Sequence, residues 1–259
     1  MEPGKATLGP LPALVGGCGP PLLYLGGLLP VAGVETRMAR RTAAASMRPL
    51  RDIRTVYFTN RRQGLPQGIT IGELAAEHAE AIAALEAGPV DVVGISTGGS
   101  IAQQLAADHP QAIRRLVLLS TGCRLTAEAR RMQAHVAAEV RRGRPQRAVA
   151  SAAAFVVLPK AEPLARLLTP LVGDLGDLSD LAATIEAEEA FDLAFAARPI
   201  SAPTLIVCGA RDRFYPRALL EETQRLIPGS LLQLIPRRGH LTAGGAPRAV
   251  AAIRGFLGV

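Results

Sequence analysis

The chain has 259 residues, enough for one sizeable hydrophobic core with a smaller appended part. Its formal charge of +7 is almost all arginine, scattered in short groups such as Arg40 and Arg41 or Arg141 and Arg142. That pattern reads as solvated faces and loops, not as a nucleic-acid surface. Aromatic residues make up only 3%, too few to serve as a base-stacking platform, and the three cysteines are too far apart for a metal-ligand spacing or a disulfide framework.

The apolar beginning of the chain is broken repeatedly by Pro and Gly, so no membrane span is expected there, and the cytoplasm is the expected compartment. PPLLYLGG, from Pro20, reads as a buried strand entering a glycine loop. A short helix is expected near 34–45, and a second strand in DIRTVYFTN from Asp52. The helix TIGELAAEHAEAIAAL opens with Thr70 three residues before Glu73, the capping-box spacing. VDVVGI is a third strand, TGGSIAQQLAADHP a helix and IRRLVLLS a fourth strand.

Strands that are continuous apolar runs, alternating with helices, predict an α/β fold: a mostly parallel central sheet covered by helices on both faces. The alternation stops at about Arg124. From there to 198 the chain reads as helical, with FVVL at 155 undecided between helix and strand. A helical cap over 124–198 is therefore expected within a core made of 1–123 and 199–259. APTLIVCGARD resumes the pattern with a strand over Thr204 to Cys208. A helix in PRALLEETQRLIPG, a last strand in LLQLIP and a closing helix with Pro247 in its first turn complete it.

Gly94-Ile95-Ser96-Thr97-Gly98 has the G-x-S-x-G spacing of a nucleophile elbow and lies on a strand-to-helix junction, the context that motif requires. Bulky residues two positions either side of the serine would clash where strand and helix approach, hence the glycines. The helix beginning at Thr97 points N–H groups and positive potential at an oxyanion formed there. The bland alternative is a tight corner with no chemistry.

A serine needs a base, and four histidines are available. His78 reads as a solvated or half-buried helix residue. His109 lies at the far end of the Ser96 helix, and His135 on a helix surface. His240 follows the last strand and so shares the carboxyl edge of the sheet with Ser96, where active groups of open parallel sheets gather. Asp212, past the strand ending at Cys208, is the expected acid that holds the imidazole tautomer. One oxyanion donor is expected at Thr97 N–H. The other is expected in the loop after the first strand, at Gly27 or Leu28, with Gly27 preferred.

Together these stretches resemble the α/β-hydrolase superfamily, in particular its small esterase-like and peptidase-like members with a helical cap. The resemblance covers nearly the whole chain and implies Ser96 as nucleophile, Asp212 as acid and His240 as base, in that chain order. It also implies a pocket between cap and sheet. A serine at the elbow argues against the epoxide hydrolases and haloalkane dehalogenases of that superfamily. Three departures stand out. Leu25-Gly26 replaces the frequent His-Gly, so the oxyanion loop needs a different support. Asn60 replaces a carboxylate, with Arg61 or Arg62 expected to reshape the mouth. The leading antiparallel strands are expected to be reduced.

The expected activity is hydrolysis of a small carboxylic ester through an acyl-enzyme, with no metal or organic cofactor. The rival readings are amide or N-terminal peptide hydrolysis, lactone opening, carbon–carbon bond hydrolysis or acyl transfer at the same site, and a non-catalytic binding protein. For an aminopeptidase, the cluster Glu186, Glu188 and Glu189 would supply the amine anchor. Monomer and homodimer are both left open.

Overall fold

The computed structural model describes residues 3–157 and 177–258. Among them the strands are β1 (Gly4–Leu8), β2 (Leu11–Gly17), β3 (Pro21–Leu25), β4 (Thr55–Thr59), β5 (Val90–Ile95), β6 (Ile113–Leu119), β7 (Thr204–Gly209) and β8 (Leu231–Ile235). They form one eight-stranded sheet in the order β1-β2-β4-β3-β5-β6-β7-β8. The six strands from β4 to β8 in that order are parallel, while β1 and β2 are antiparallel.

The parallel strands read as unbroken apolar runs because both of their faces are buried. In β3, Leu23 and Leu25 join one core and Leu22 and Tyr24 the other. In β6 the split is Leu116 and Leu118 against Val117 and Leu119, the two-residue period of a strand. Helices α1 (Arg37–Met47) and α8 (Pro247–Phe256) contribute to one core; α2 (Ile71–Ala83), α3 (Thr97–Asp108) and α7 (Arg217–Leu226) contribute to the other. The capping box at Thr70 forms in full: its hydroxyl accepts from Glu73 N–H, and the Glu73 carboxylate accepts from Thr70 N–H.

The leading strands correct the expectation that they are reduced. β1 and β2 form a hairpin turned at Gly9, where φ is +53°, and β2 pairs with β4 from Ala13 to Gly17. Pro12, which interrupts the apolar run, lies one residue before that pairing begins, so its missing N–H breaks no bond to β4.

Helices α4 (Ala127–Arg141), α5 (Pro145–Val157) and α6 (Ser179–Glu189) are inserted between β6 and β7. They have a core of their own around Val136, Ala148, Leu181 and Ile185. FVVL is helical through Val157; Leu158 and the rest of 158–176 lie outside the described residues. No helix among the described residues is long and apolar enough to cross a membrane.

Candidate active site

The sheet order changes direction around β3: the chain goes from β3 out to β4 and then back to β5 on the other side. Loops leaving β3 and β5 therefore part at their carboxyl ends and open a crevice. The β3 loop carries Gly26, Gly27 and Leu28; the β5 turn carries Ser96.

Ser96 sits at φ +53°, ψ −124°, a strained conformation for a residue with a side chain. The approach of strand to helix explains its glycine neighbours. A Cβ on Gly94 would lie 2.6 Å from Gly98 O, and one on Gly98 would lie 2.4 Å from Leu25 O. Ser96 occupies the N-cap position of α3 without capping it through its side chain. Its hydroxyl instead lies 3.0 Å from His240 Nε2.

His240 Nδ1 is 2.9 Å from Asp212 Oδ2. The second oxygen, Asp212 Oδ1, accepts the N–H of Phe214 at 2.9 Å and of Tyr215 at 3.3 Å. Burial pushes the Cys208 thiol well up, so it stays protonated and donates to Asp212 Oδ2 at 3.3 Å. The carboxylate is thus fixed from several directions. The imidazole is held by Phe214 and Tyr215, with ring centroids 4.5 Å and 5.9 Å away. Phe155, from α5, packs edge-on against Phe214.

Two further residues fix the histidine loop. Ser120, at φ +48° just past β6, donates its hydroxyl to His240 O at 3.0 Å. Arg211 N–H donates to Arg238 O at 2.8 Å, tying the acid loop to the histidine loop. Nothing in the sequence marks Ser120 for this, because its partner is a main-chain atom 120 residues away.

Gly27 lies against the serine: a Cβ built on it would be 3.3 Å from Ser96 Cβ and from Ile95 O. Gly26 N–H is already used by Thr59 O. Of the expected donor pair, Gly27 is thus seated on Ser96, and Leu28 lines the adjacent cavity. That cavity, of about 230 Å³, lies between the sheet edge and the inserted helices, with Met132, Val136, Ala152 and Ile185 on the insertion side.

None of the remaining histidines lines the cavity at Ser96. His109 ends α3, and His135 is exposed on α4. His78 is not solvated or half-buried as expected but 1% exposed, with Nδ1–H donating to Leu74 O at 2.7 Å. Burial lowers its pKa to about 4.

The acidic cluster on α6 does not gather at the cavity. Glu186 pairs with Arg141. Glu188, 1% exposed, turns toward α3 and accepts from Thr97 Oγ1 (2.7 Å), Ser100 Oγ (3.0 Å) and Gln133 Nε2 (3.2 Å). Burial raises its pKa despite these three donors. Its link to Thr97 joins elements 91 residues apart, so sequence spacing carries no signal for it. Neither Arg61 nor Arg62 lines the cavity itself. Arg62 pairs with Glu77 at 2.7 Å, and Arg61 is buried behind the β3 loop.

Residues 20–253 match the family described as "Alpha/beta hydrolase family". Among curated proteins, the pimeloyl-[acyl-carrier protein] methyl ester esterase of Neisseria meningitidis serogroup A is 29% identical over 185 residues, 68% of this chain and 59% of that protein. This chain thus spans less than two thirds of that relative's length. The serogroup C enzyme of the same name is 30% identical over 68% of this chain and 72% of its own. Among solved structures, an alpha/beta hydrolase from a Medee basin deep-sea metagenome library superposes with a TM-score of 0.80 at 18% identity, covering 99% of this chain and 98% of that one. A thermophilic esterase from Thermogutta terrifontis gives 0.72 at 25% identity, covering 99% and 98%.

Proposed function

Because the chain belongs to the alpha/beta hydrolase family, we propose that it is a serine hydrolase acting on a small carboxylic ester through an acyl-enzyme intermediate. The observation that carries this reading is the continuous relay from Ser96 Oγ to His240 Nε2 at 3.0 Å and from His240 Nδ1 to Asp212 at 2.9 Å. His240 takes the Ser96 proton as Oγ attacks the acyl carbon. Asp212 holds the tautomer and stabilises the imidazolium that forms. The N–H groups of Thr97 and Gly27 receive the developing oxyanion, each worth about 3 kcal/mol in comparable sites. His240 then protonates the departing alcohol oxygen. A water, deprotonated by His240, attacks the acyl carbon, and His240 passes that proton to the departing Ser96 Oγ as the acid is released. These steps call on no metal or organic cofactor.

The apolar residues facing the cavity favour a small apolar acyl or alcohol group. The methyl ester named for the Neisseria relatives supports a simple alcohol as leaving group. The aminopeptidase reading is disfavoured, because none of Glu186, Glu188 and Glu189 lines the cavity and the first two are committed to Arg141 and to the start of α3. All three cysteines are free, which supports a reducing, cytoplasmic setting.

The test is a panel of p-nitrophenyl acetate, butyrate and octanoate beside aminoacyl p-nitroanilides, run on wild type and Ser96→Ala. Turnover of the short esters by wild type alone is expected. Turnover of anilides in preference to esters would move the reading to an amidase. A folded wild type inert to both sets would favour the binding-protein reading.

A further inference from the structure

Arg61 is 2% exposed, yet no carboxylate among the described residues pairs with it. Its Nη2 donates to Leu29 O at 2.6 Å and reaches Pro30 O at 3.4 Å, and Nη1 lies 3.4 Å from Asn60 Oδ1. Its main-chain oxygen accepts Gly33 N–H at 2.9 Å. The residue thus grips the Gly27–Gly33 loop through both its side chain and its backbone. Asp180, whose charge acts on it, spends both carboxylate oxygens on Gly64 and Leu65 N–H.

Behind the loop lies a cavity of about 10 Å³, room for about one water. Gly27 and Thr97, the two proposed oxyanion donors, line it together with Asn60 and Arg61. Two buried donors, Arg61 Nε and Asn60 Nδ2, have no partner in the described structure. Burial lowers the Arg61 pKa to about 10, which still leaves it charged at neutral pH. A buried cation without a carboxylate partner is costly to keep, and replacing buried charge by an apolar group of similar size is often neutral or stabilising. Loop anchoring alone does not require a charge. A charge fixed behind two N–H groups does act on a negative oxygen formed in front of them, and in a dry site that action is strong.

We propose that Arg61 is a positioning residue for the oxyanion: its guanidinium holds the Gly27–Pro30 loop through the Leu29 and Pro30 carbonyls, and its buried positive charge favours the anion over the neutral carbonyl. This rests on the serine-hydrolase reading. It also identifies the loop support that Leu25-Gly26 leaves unassigned.

The test compares two ketones as reversible ligands. 1,1,1-Trifluoro-4-phenylbutan-2-one accepts Ser96 Oγ at its carbonyl carbon, the carbonyl π pair becoming the oxyanion and the serine proton passing to His240. 4-Phenylbutan-2-one, with a far less electrophilic carbonyl, reports pocket binding alone. The ratio of their inhibition constants against p-nitrophenyl butyrate turnover measures oxyanion stabilisation separately from pocket integrity. In Arg61→Met the ratio is expected to fall by roughly tenfold or more, the trifluoromethyl ketone losing far more affinity than the methyl ketone. Arg61→Lys, which keeps the charge, is expected to recover most of the ratio. Added guanidinium ion is expected to raise the ratio in Arg61→Ala but not in wild type. An unchanged ratio in folded Arg61→Met overturns the proposal, as does equal loss of both ketones in Met and Lys variants, which marks a purely structural role. If wild type itself shows no preference for the trifluoromethyl ketone, the serine reading fails first and this proposal falls with it.

Discussion

The Thr97 hydroxyl donates to Glu188 Oε2 at 2.7 Å, joining the inserted helices to the first turn of the helix that begins beside Ser96. Gln133 of α4 and Ser100 of α3 complete the same carboxylate. The inserted helices, which line the cavity through Met132, Val136 and Ile185, are therefore bonded to the residue proposed to receive the oxyanion.

Removing Glu188 leaves these buried donors without an acceptor. Glu188→Ala is expected to lose about 2–4 kcal/mol of stability in urea unfolding, since each orphaned group costs about 1–3 kcal/mol. Glu188→Gln keeps the shape and is expected to lose less than about 1 kcal/mol at neutral pH. The raised carboxyl pKa fixes the sign of the pH dependence. Stability from this group is complete below the unfolded carboxyl's range and declines as pH rises through the folded value. The Gln variant should remove that decline.

His78 slopes the opposite way. The folded chain holds its imidazole neutral down to about pH 4, whereas the unfolded chain takes up a proton near pH 6.5. Between those values the unfolded state binds more protons, so stability falls as pH falls. The full effect is on the order of 3 kcal/mol. Denaturant titrations of wild type and His78→Leu from pH 7.5 to 4.5 should show a shallower acid loss in the variant.

At the opposite edge of the sheet, Asp91 is 0% exposed and accepts from Arg54 Nε at 3.1 Å and from Arg114 Nη2 at 2.6 Å. Arg54 also donates to Leu257 O, which anchors the end of the chain's last helix. Asp91→Ala leaves Arg54 buried and uncompensated, and is expected to cost about 3–5 kcal/mol. Its kcat on p-nitrophenyl butyrate, measured well below the unfolding midpoint, should match wild type.

The parts of the fold that could be read from sequence are those whose signals are local. VDVVGI and LIVC announce themselves because both faces of the strand are buried, and Thr70 and Glu73 because a capping box spans one turn. Ser96, Asp212 and His240 each lie within five residues of the end of an apolar strand, so parallel topology alone sends them to one edge. The β1–β2 hairpin was illegible: β1 is largely exposed, and its Gly and Pro neighbours imitate a loop. Arg61 reads in sequence as a residue of the mouth for a related reason: its burial arises only when the β3 loop folds across it. Glu188 reads in sequence only as one member of an acidic cluster, because its three donors come from elements remote in the chain.

The most direct test of an activated serine is labelling with a fluorophosphonate probe, followed by peptide mapping of the adduct. A single modified residue, Ser96, is expected in wild type. Labelling should be absent in Ser96→Ala and strongly slowed in His240→Ala, both shown to be folded by circular dichroism. A folded wild type that takes up no probe, or takes it up at another residue with Ser96→Ala labelled equally, would contradict the assignment of Ser96 as the nucleophile.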